Sequence, residues 1–108
     1  MDYKDVRIGN WINEQGLHLQ VGMINSEVLK TSEPIPLTED WLIRFGFDKH
    51  IRTKGNNPIA NYSDNKCNFI DEYVDGTFFI EDIGMEIKYV HKLQNLIYET
   101  SGQELVLK

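Results

Sequence analysis

The sequence is 108 residues long, 41% hydrophobic and 11% aromatic, which excludes a disordered chain and leaves too little length for two ordinary domains. Eleven Lys and Arg stand against 17 Asp and Glu, a formal charge of −6 at pH 7; this argues against general affinity for nucleic acid, because such binding needs cations to neutralise phosphates. The single Cys67 excludes an internal disulfide, and no apolar run reads as a signal peptide or a membrane span, so a cytoplasmic protein with no membrane contact, folded as one domain over 1–108, is expected.

From Asp5 to Lys30 the pattern is β. Val6 to Ile12 reads as a first strand, ending in a turn through Asn13-Glu14-Gln15-Gly16. Leu17, Leu19, Val21 and Met23 alternate with His18, Gln20 and Gly22, the period-two signature of a half-buried strand. A short third strand is expected over Glu27–Lys30, completing a three-stranded meander. Gly9 and Gly22 mark places for bulges or sharp bends.

A proline-stiffened connector then leads into a short helix with full punctuation. Thr38 is the N-cap, Glu39 and Asp40 suit the positive end of the helix dipole, and Leu37 with Leu42 form a hydrophobic staple. Gly46 is placed to end the helix in the left-handed conformation, with Phe47 folding back on Leu42 in a Schellman motif. A strand end and an exposed loop follow through Lys49, His50, Arg52 and Lys54, then a strand over Ile59–Ser63 with a turn at Asp64-Asn65. Asp75-Gly76 between two aromatic runs reads as a two-residue type I′ hairpin, which sets Tyr73 opposite Phe78 and puts Phe69 and Ile80 on their face, with Ile70, Val74 and Phe79 opposite. Met85, Ile87 and Tyr89 alternate into a last strand, and Leu105–Leu107 is expected to add a terminal one. The fold class is therefore α+β, with mostly antiparallel sheets, a short central helix and a longer C-terminal helix.

That last helix, Lys88 to Gly102, has the clearest helical period. Tyr89, Val90, Leu93, Leu96 and Ile97 fall on one apolar arc, and beside it His91, Gln94, Asn95 and Tyr98 recur at i, i+3, i+4, i+7. Solvated helix faces are rich in Lys and Glu; an uncharged hydrogen-bonding stripe points to contact with something on that side too. The bland alternative is that the stripe satisfies backbone groups of its own fold. Trp11 is a further candidate, as an aromatic platform on the first sheet or as ordinary core.

Three blocks, Arg7-Ile8-Gly9-Asn10, Pro34 to Phe47 and Tyr89 to Leu96 followed by Ser101 to Leu105, resemble a family of small uncharacterised proteins of gut bacteria and their phages or mobile elements. The resemblance implies a cytosolic setting in which small binding proteins are common, and carries over no catalytic residue.

Chemistry-bearing patterns are sparse. His18, His50 and His91 are far apart and Cys67 stands alone, so neither a metal nor a cofactor is expected. The acidic residues from Asp71 to Glu86 lack the spacing of a calcium loop. No nucleophile elbow and no phosphate-binding glycine pattern occurs. The reading this supports is a non-enzymatic binding or interaction module for a protein partner or its own copy, with His91, Gln94, Asn95, Tyr98 and Trp11 as candidate binding residues. The alternatives are a small-molecule (nucleotide-like) binding or sequestering protein, or a small hydrolase using His91; last comes an acidic nucleic-acid mimic.

Overall fold

A computed structural model describes residues 6–22, 32–51, 58–81 and 83–108. In chain order its elements are β1 (Trp11–Glu14), β2 (Leu17–Gln20), β3 (Ser32–Glu33), α1 (Glu39–Arg44), β4 (Asp48–Ile51), β5 (Ala60–Ser63), β6 (Phe69–Glu72), β7 (Phe78–Ile80), β8 (Met85–Glu86) and α2 (Val90–Ser101). The fold is α+β, with one three-stranded and one five-stranded antiparallel sheet. The strand expected over Glu27–Lys30 and the basic loop at Arg52 and Lys54 lie outside the described residues. No helix among the described residues is long and apolar enough to cross a membrane.

The chain forms two compact units, one from Met1–Pro36 with Tyr89–Glu104, the other from Leu37–Lys88 with Leu105–Lys108. In the first unit the sheet order is β2-β1-β3. The β1–β2 hairpin turns on Gln15 and Gly16, both at positive φ (50° and 87°), as a type I′ turn requires. The first strand begins at Trp11 rather than Val6. Gly9 has φ 98°, and the Asn10 amide donates back to the Arg7 carbonyl at 3.0 Å, so Arg7 to Asn10 folds as a tight turn rather than as the start of a regular strand. The α2 helix starts where the Val90 amide donates to the Ile35 carbonyl at 2.9 Å and stops at Gly102, φ 74°. Its buried side chains are Val90, His91, Leu93, Gln94 and Ile97. The buried arc is thus rotated toward the polar stripe, and Leu96 is only half-buried.

In the second unit α1 ends in the anticipated Schellman motif. The Phe47 amide donates to the Leu42 carbonyl at 3.0 Å and the Gly46 amide to the Ile43 carbonyl at 2.9 Å, with Gly46 at φ 93°. Thr38 takes the N-cap backbone position, but its side chain makes no capping hydrogen bond. Trp41, Leu42, Phe45 and Phe47 are all buried.

The five strands run β4-β5-β6-β7-β8, and the β6–β7 register differs from the expected one. Glu72 pairs with Phe78, Asp71 with Phe79 and Ile70 with Ile80. The connection is a three-residue loop: the Gly76 amide donates to the Tyr73 carbonyl and the Tyr73 amide to the Thr77 carbonyl, both at 2.9 Å. Only Gly76 of the pair has positive φ, 86°, so the turn is type I followed by a left-handed glycine, not type I′. One extra loop residue shifts the pairing by one, and a shift of one exchanges the faces of one strand relative to the other. Ile70, Phe78 and Ile80 now share a face with Ala60 and Tyr62. Phe69, Asp71, Tyr73 and Phe79 lie on the other. The terminal segment Leu105–Leu107 forms no strand; Leu105 is buried and the Lys108 amide donates to the Arg44 carbonyl at 2.7 Å.

Candidate functional site

The polar stripe of α2 meets the turn that precedes β1. Gln94 is fully buried. Its Oε1 accepts the Trp11 amide at 2.9 Å and its Nε2 donates to the Gly9 carbonyl at 3.0 Å. One side-chain amide therefore supplies the donor and acceptor that a neighbouring strand would have supplied to this irregular backbone. Asn95 Oδ1 accepts from Asn10 Nδ2 at 2.8 Å and from Arg7 Nε at 3.1 Å. Asn10, also fully buried, accepts the Arg7 amide on its Oδ1 at 2.6 Å.

The Arg7 guanidinium completes the cluster. It donates to the Gln94 carbonyl at 3.3 Å, pairs with the Glu104 carboxylate and lies 4.3 Å from the centre of the Tyr98 ring. Three of its contacts differ in kind (amide, carboxylate and aromatic face), a combination suited to a flat guanidinium rather than an ammonium. His91 is buried and stacked on Tyr89, ring centroids 6.0 Å apart. Of the stripe, then, Gln94 and Asn95 bond within their own unit, His91 is enclosed, and Tyr98 remains 42% exposed. Trp11 is half-buried at the head of β1. The structure joins it to Gln94 through its backbone.

Sequence reasoning missed Arg7 and Asn10 as partners of this stripe, and Gln20, whose Nε2 shares the Gly9 carbonyl with Gln94 at 3.0 Å. A signal was available. A glycine-containing turn of hydrogen-bonding residues beside a strand needs backbone partners, and an uncharged helical stripe offers them.

Two other surfaces face outward. The first is β2, the outermost strand of its sheet among the described residues. All four of its residues are exposed, Leu17 at 65% and Leu19 at 43%. Leu19 pairs with buried Ile12, and Leu17 with Glu14, so both leucines stand on the Ile12 side of the sheet.

The second surface is the outer face of the five-stranded sheet, which the register correction brings together. It carries Asp48, His50, Asn61, Ser63, Asp71 and Glu86 beside the aromatic rings. Asn61 Nδ2 donates to Asp71 Oδ1 at 2.8 Å and to Glu81 Oε2 at 2.9 Å, and His50 Nε2 lies 3.1 Å from Ser63 Oγ. That last distance suits a nucleophile and its base, but His50 is exposed and water is not kept from the pair.

The inner face holds a buried polar contact instead. The Tyr62 hydroxyl, on a fully buried residue, reaches Glu72 Oε1 at 2.7 Å and Glu39 Oε1 at 3.3 Å, and Glu39 pairs with Lys49 Nζ at 2.5 Å. Burial, reinforced by the Glu72 and Glu39 carboxylates, pushes the Tyr62 phenol far above its ordinary value and keeps it protonated.

Among the described residues no group of three or more His, Cys, Asp or Glu is arranged to hold a metal ion. No protein family, curated protein or solved structure was found to match the chain.

Proposed function

We propose that the protein is a non-enzymatic interaction module and that the exposed leucine face of β2 is its docking surface. One observation carries this reading: among the described residues, the strand at the end of the first sheet bears two exposed leucines on the side of the sheet where Ile12 is buried. Exposed edges are ordinarily protected by charge, proline or a bulge, because an accessible edge accepts further strands. The described edges elsewhere have such protection: β3 carries Glu33 and is followed by Pro34, β4 carries Asp48 and Lys49, and β8 carries Glu86. Leu17-His18-Leu19-Gln20 holds no Lys, Arg, Asp, Glu or Pro. The leucines of β2 stand at alternate positions, so they present one apolar face to the alternate side chains of an extended partner. The resemblance to small proteins of mobile elements is in keeping with a binding role.

Panning a library of displayed extended peptides against the protein tests this. The expected result is enrichment of apolar, strand-forming sequences whose binding falls at least tenfold in the Leu17→Lys/Leu19→Lys variant, with the thermal midpoint unchanged. Peptide binding indifferent to that variant, or no enrichment together with no self-association, overturns the reading.

A further inference from the structure

The outer face of the five-stranded sheet sets carboxylates beside aromatic rings and carries no Lys or Arg among the outward residues of its strands. One row crosses it from Asn61 through Asp71 and Phe79 to Glu86, each residue paired with the next on the neighbouring strand; residues directly opposite in antiparallel strands share a face. Phe69 stands two residues before Asp71 on that face, and the Glu81 amide donates to the Phe69 carbonyl at 3.1 Å.

Asn61 fixes two of the carboxylates. The two N–H groups of its Nδ2 donate to Asp71 Oδ1 at 2.8 Å and to Glu81 Oε2 at 2.9 Å. Bonds leaving one planar amide nitrogen at about 120° set those oxygens about 5 Å apart, a gap one guanidinium can bridge. A neutral amide gathers the two groups without cancelling their charge, and like charges held this close repel. The ion pairs of the described residues, Arg7–Glu104, Arg44–Asp40 and Lys49–Glu39, all lie elsewhere. Rings flank the pair: Phe79 is directly opposite Asp71, Tyr73 meets Phe79 edge-on with centroids 5.1 Å apart, and Phe69 is exposed.

The molecule shows twice what such a setting holds. Arg7 joins the Glu104 carboxylate to the Tyr98 ring, and Arg44 lies 4.0 Å from Asp40 and 4.6 Å from the centre of the Trp41 ring. A flat guanidinium makes both contacts at once, which a compact ammonium does less well. The outer sheet face offers two carboxylates beside rings and lacks the arginine. We infer that this face docks an arginine-bearing segment of a protein partner, with one guanidinium bridging Asp71 and Glu81 beside the phenylalanine rings. Charge complementarity selects this occupant. Asp48 and Glu86 extend the same sign to the strands at both ends of the sheet, where further basic residues of a segment meet them and a lone cation does not. The chain's formal −6 draws a basic partner from a distance. This surface belongs to the other unit from the β2 leucines, and the inference does not depend on them.

Fluorescence anisotropy in dilute salt with a labelled heptapeptide of alternating Arg and Thr tests this, against the same peptide with Lys in place of Arg. The Arg peptide should bind at least tenfold more tightly than the Lys peptide and should weaken as salt is raised. Asp71→Asn/Glu81→Gln keeps the acceptors for Asn61 and removes only charge; it should lower affinity for the Arg peptide at least tenfold with the melting midpoint unchanged. Leu17→Ser/Leu19→Ser should leave that affinity unaltered. In the wild-type protein the Arg peptide should shift the backbone amide resonances of Asn61, Asp71 and Phe79, which locates the contact without any substitution. No binding of the Arg peptide, equal binding of the Lys peptide, or resonance shifts confined to other strands overturns the inference. Free arginine binding as tightly as the Arg peptide overturns the partner segment. Each of these failures leaves the β2 reading standing, because that reading is judged by panned apolar peptides and the leucine variant alone.

Discussion

The Gln94 amide satisfies two backbone groups of the Gly9–Trp11 turn at once, from a fully buried position. Its truncation in Gln94→Ala strands a buried N–H and a buried C=O, each worth about 1–3 kcal/mol when left unmet. The expected loss is about 2–4 kcal/mol in urea unfolding, read as a lower midpoint at unchanged slope. Tyr62 makes a different prediction. Its folded-state pKa lies above the ordinary 10.0 because of burial and the nearby Glu72 and Glu39. Stability from the protonated phenol is therefore complete below about pH 10 and is lost progressively as pH rises above it toward the folded value. Tyr62→Phe should flatten the alkaline limb of a stability–pH curve above pH 10. At neutral pH it should cost about 1–2 kcal/mol, near the lower end for bonds to charged groups, since Glu72 is only half-buried and can rehydrate.

At the level of elements, α1 and the β6–β7 hairpin respond to different causes. The end of α1 depends on one backbone conformation. Gly46 has φ 93°, and a Cβ there would lie 2.8 Å from Cε of Lys108. Lysine can swing aside, but the left-handed backbone remains costly for any side chain with a Cβ, so Gly46→Ala should lower stability by about 1–2 kcal/mol in chemical denaturation. Gly46→Asn should lose less, as asparagine tolerates that region better. The hairpin is instead decided by which face buries Ile70 and Phe78. Asp75-Gly76 is compatible with a two-residue or a three-residue loop, and the local sequence does not separate them. Asp75 Oδ1 accepts both the Thr77 hydroxyl at 2.7 Å and the Thr77 amide at 3.1 Å, which holds its carboxyl below the ordinary range and braces the longer loop.

At the level of the molecule, the chain passes between its two units at Pro36–Leu37, Lys88–Tyr89 and Glu104–Leu105. The last few residues therefore serve both. Glu104 pairs with Arg7 in the first unit, while Leu105 is buried in the second and Lys108 bonds to Arg44 there. Deleting residues 103–108 should cost about 2–4 kcal/mol, most of it from Leu105, because burial of a leucine outweighs a half-exposed ion pair. Hydrogen exchange should show faster amides in both units, at Arg7–Trp11 and around Arg44–Phe47. Change confined to one unit would contradict this division of roles.

Helix α1 was legible residue by residue because its staple, acidic first turn and terminating glycine all act within ten positions of one another. The extent of α2 was legible for the same reason, from its period and from Gly102. Its buried side was not. Apolar residues point to the arc through Leu96, yet the helix rests on a turn whose backbone needs donors and acceptors, and that need turns Gln94 inward. The β6–β7 register and the place of Leu105–Leu107 were likewise settled only in three dimensions. Each depends on partners distant along the chain, and local preference differs too little between the alternatives to choose among them.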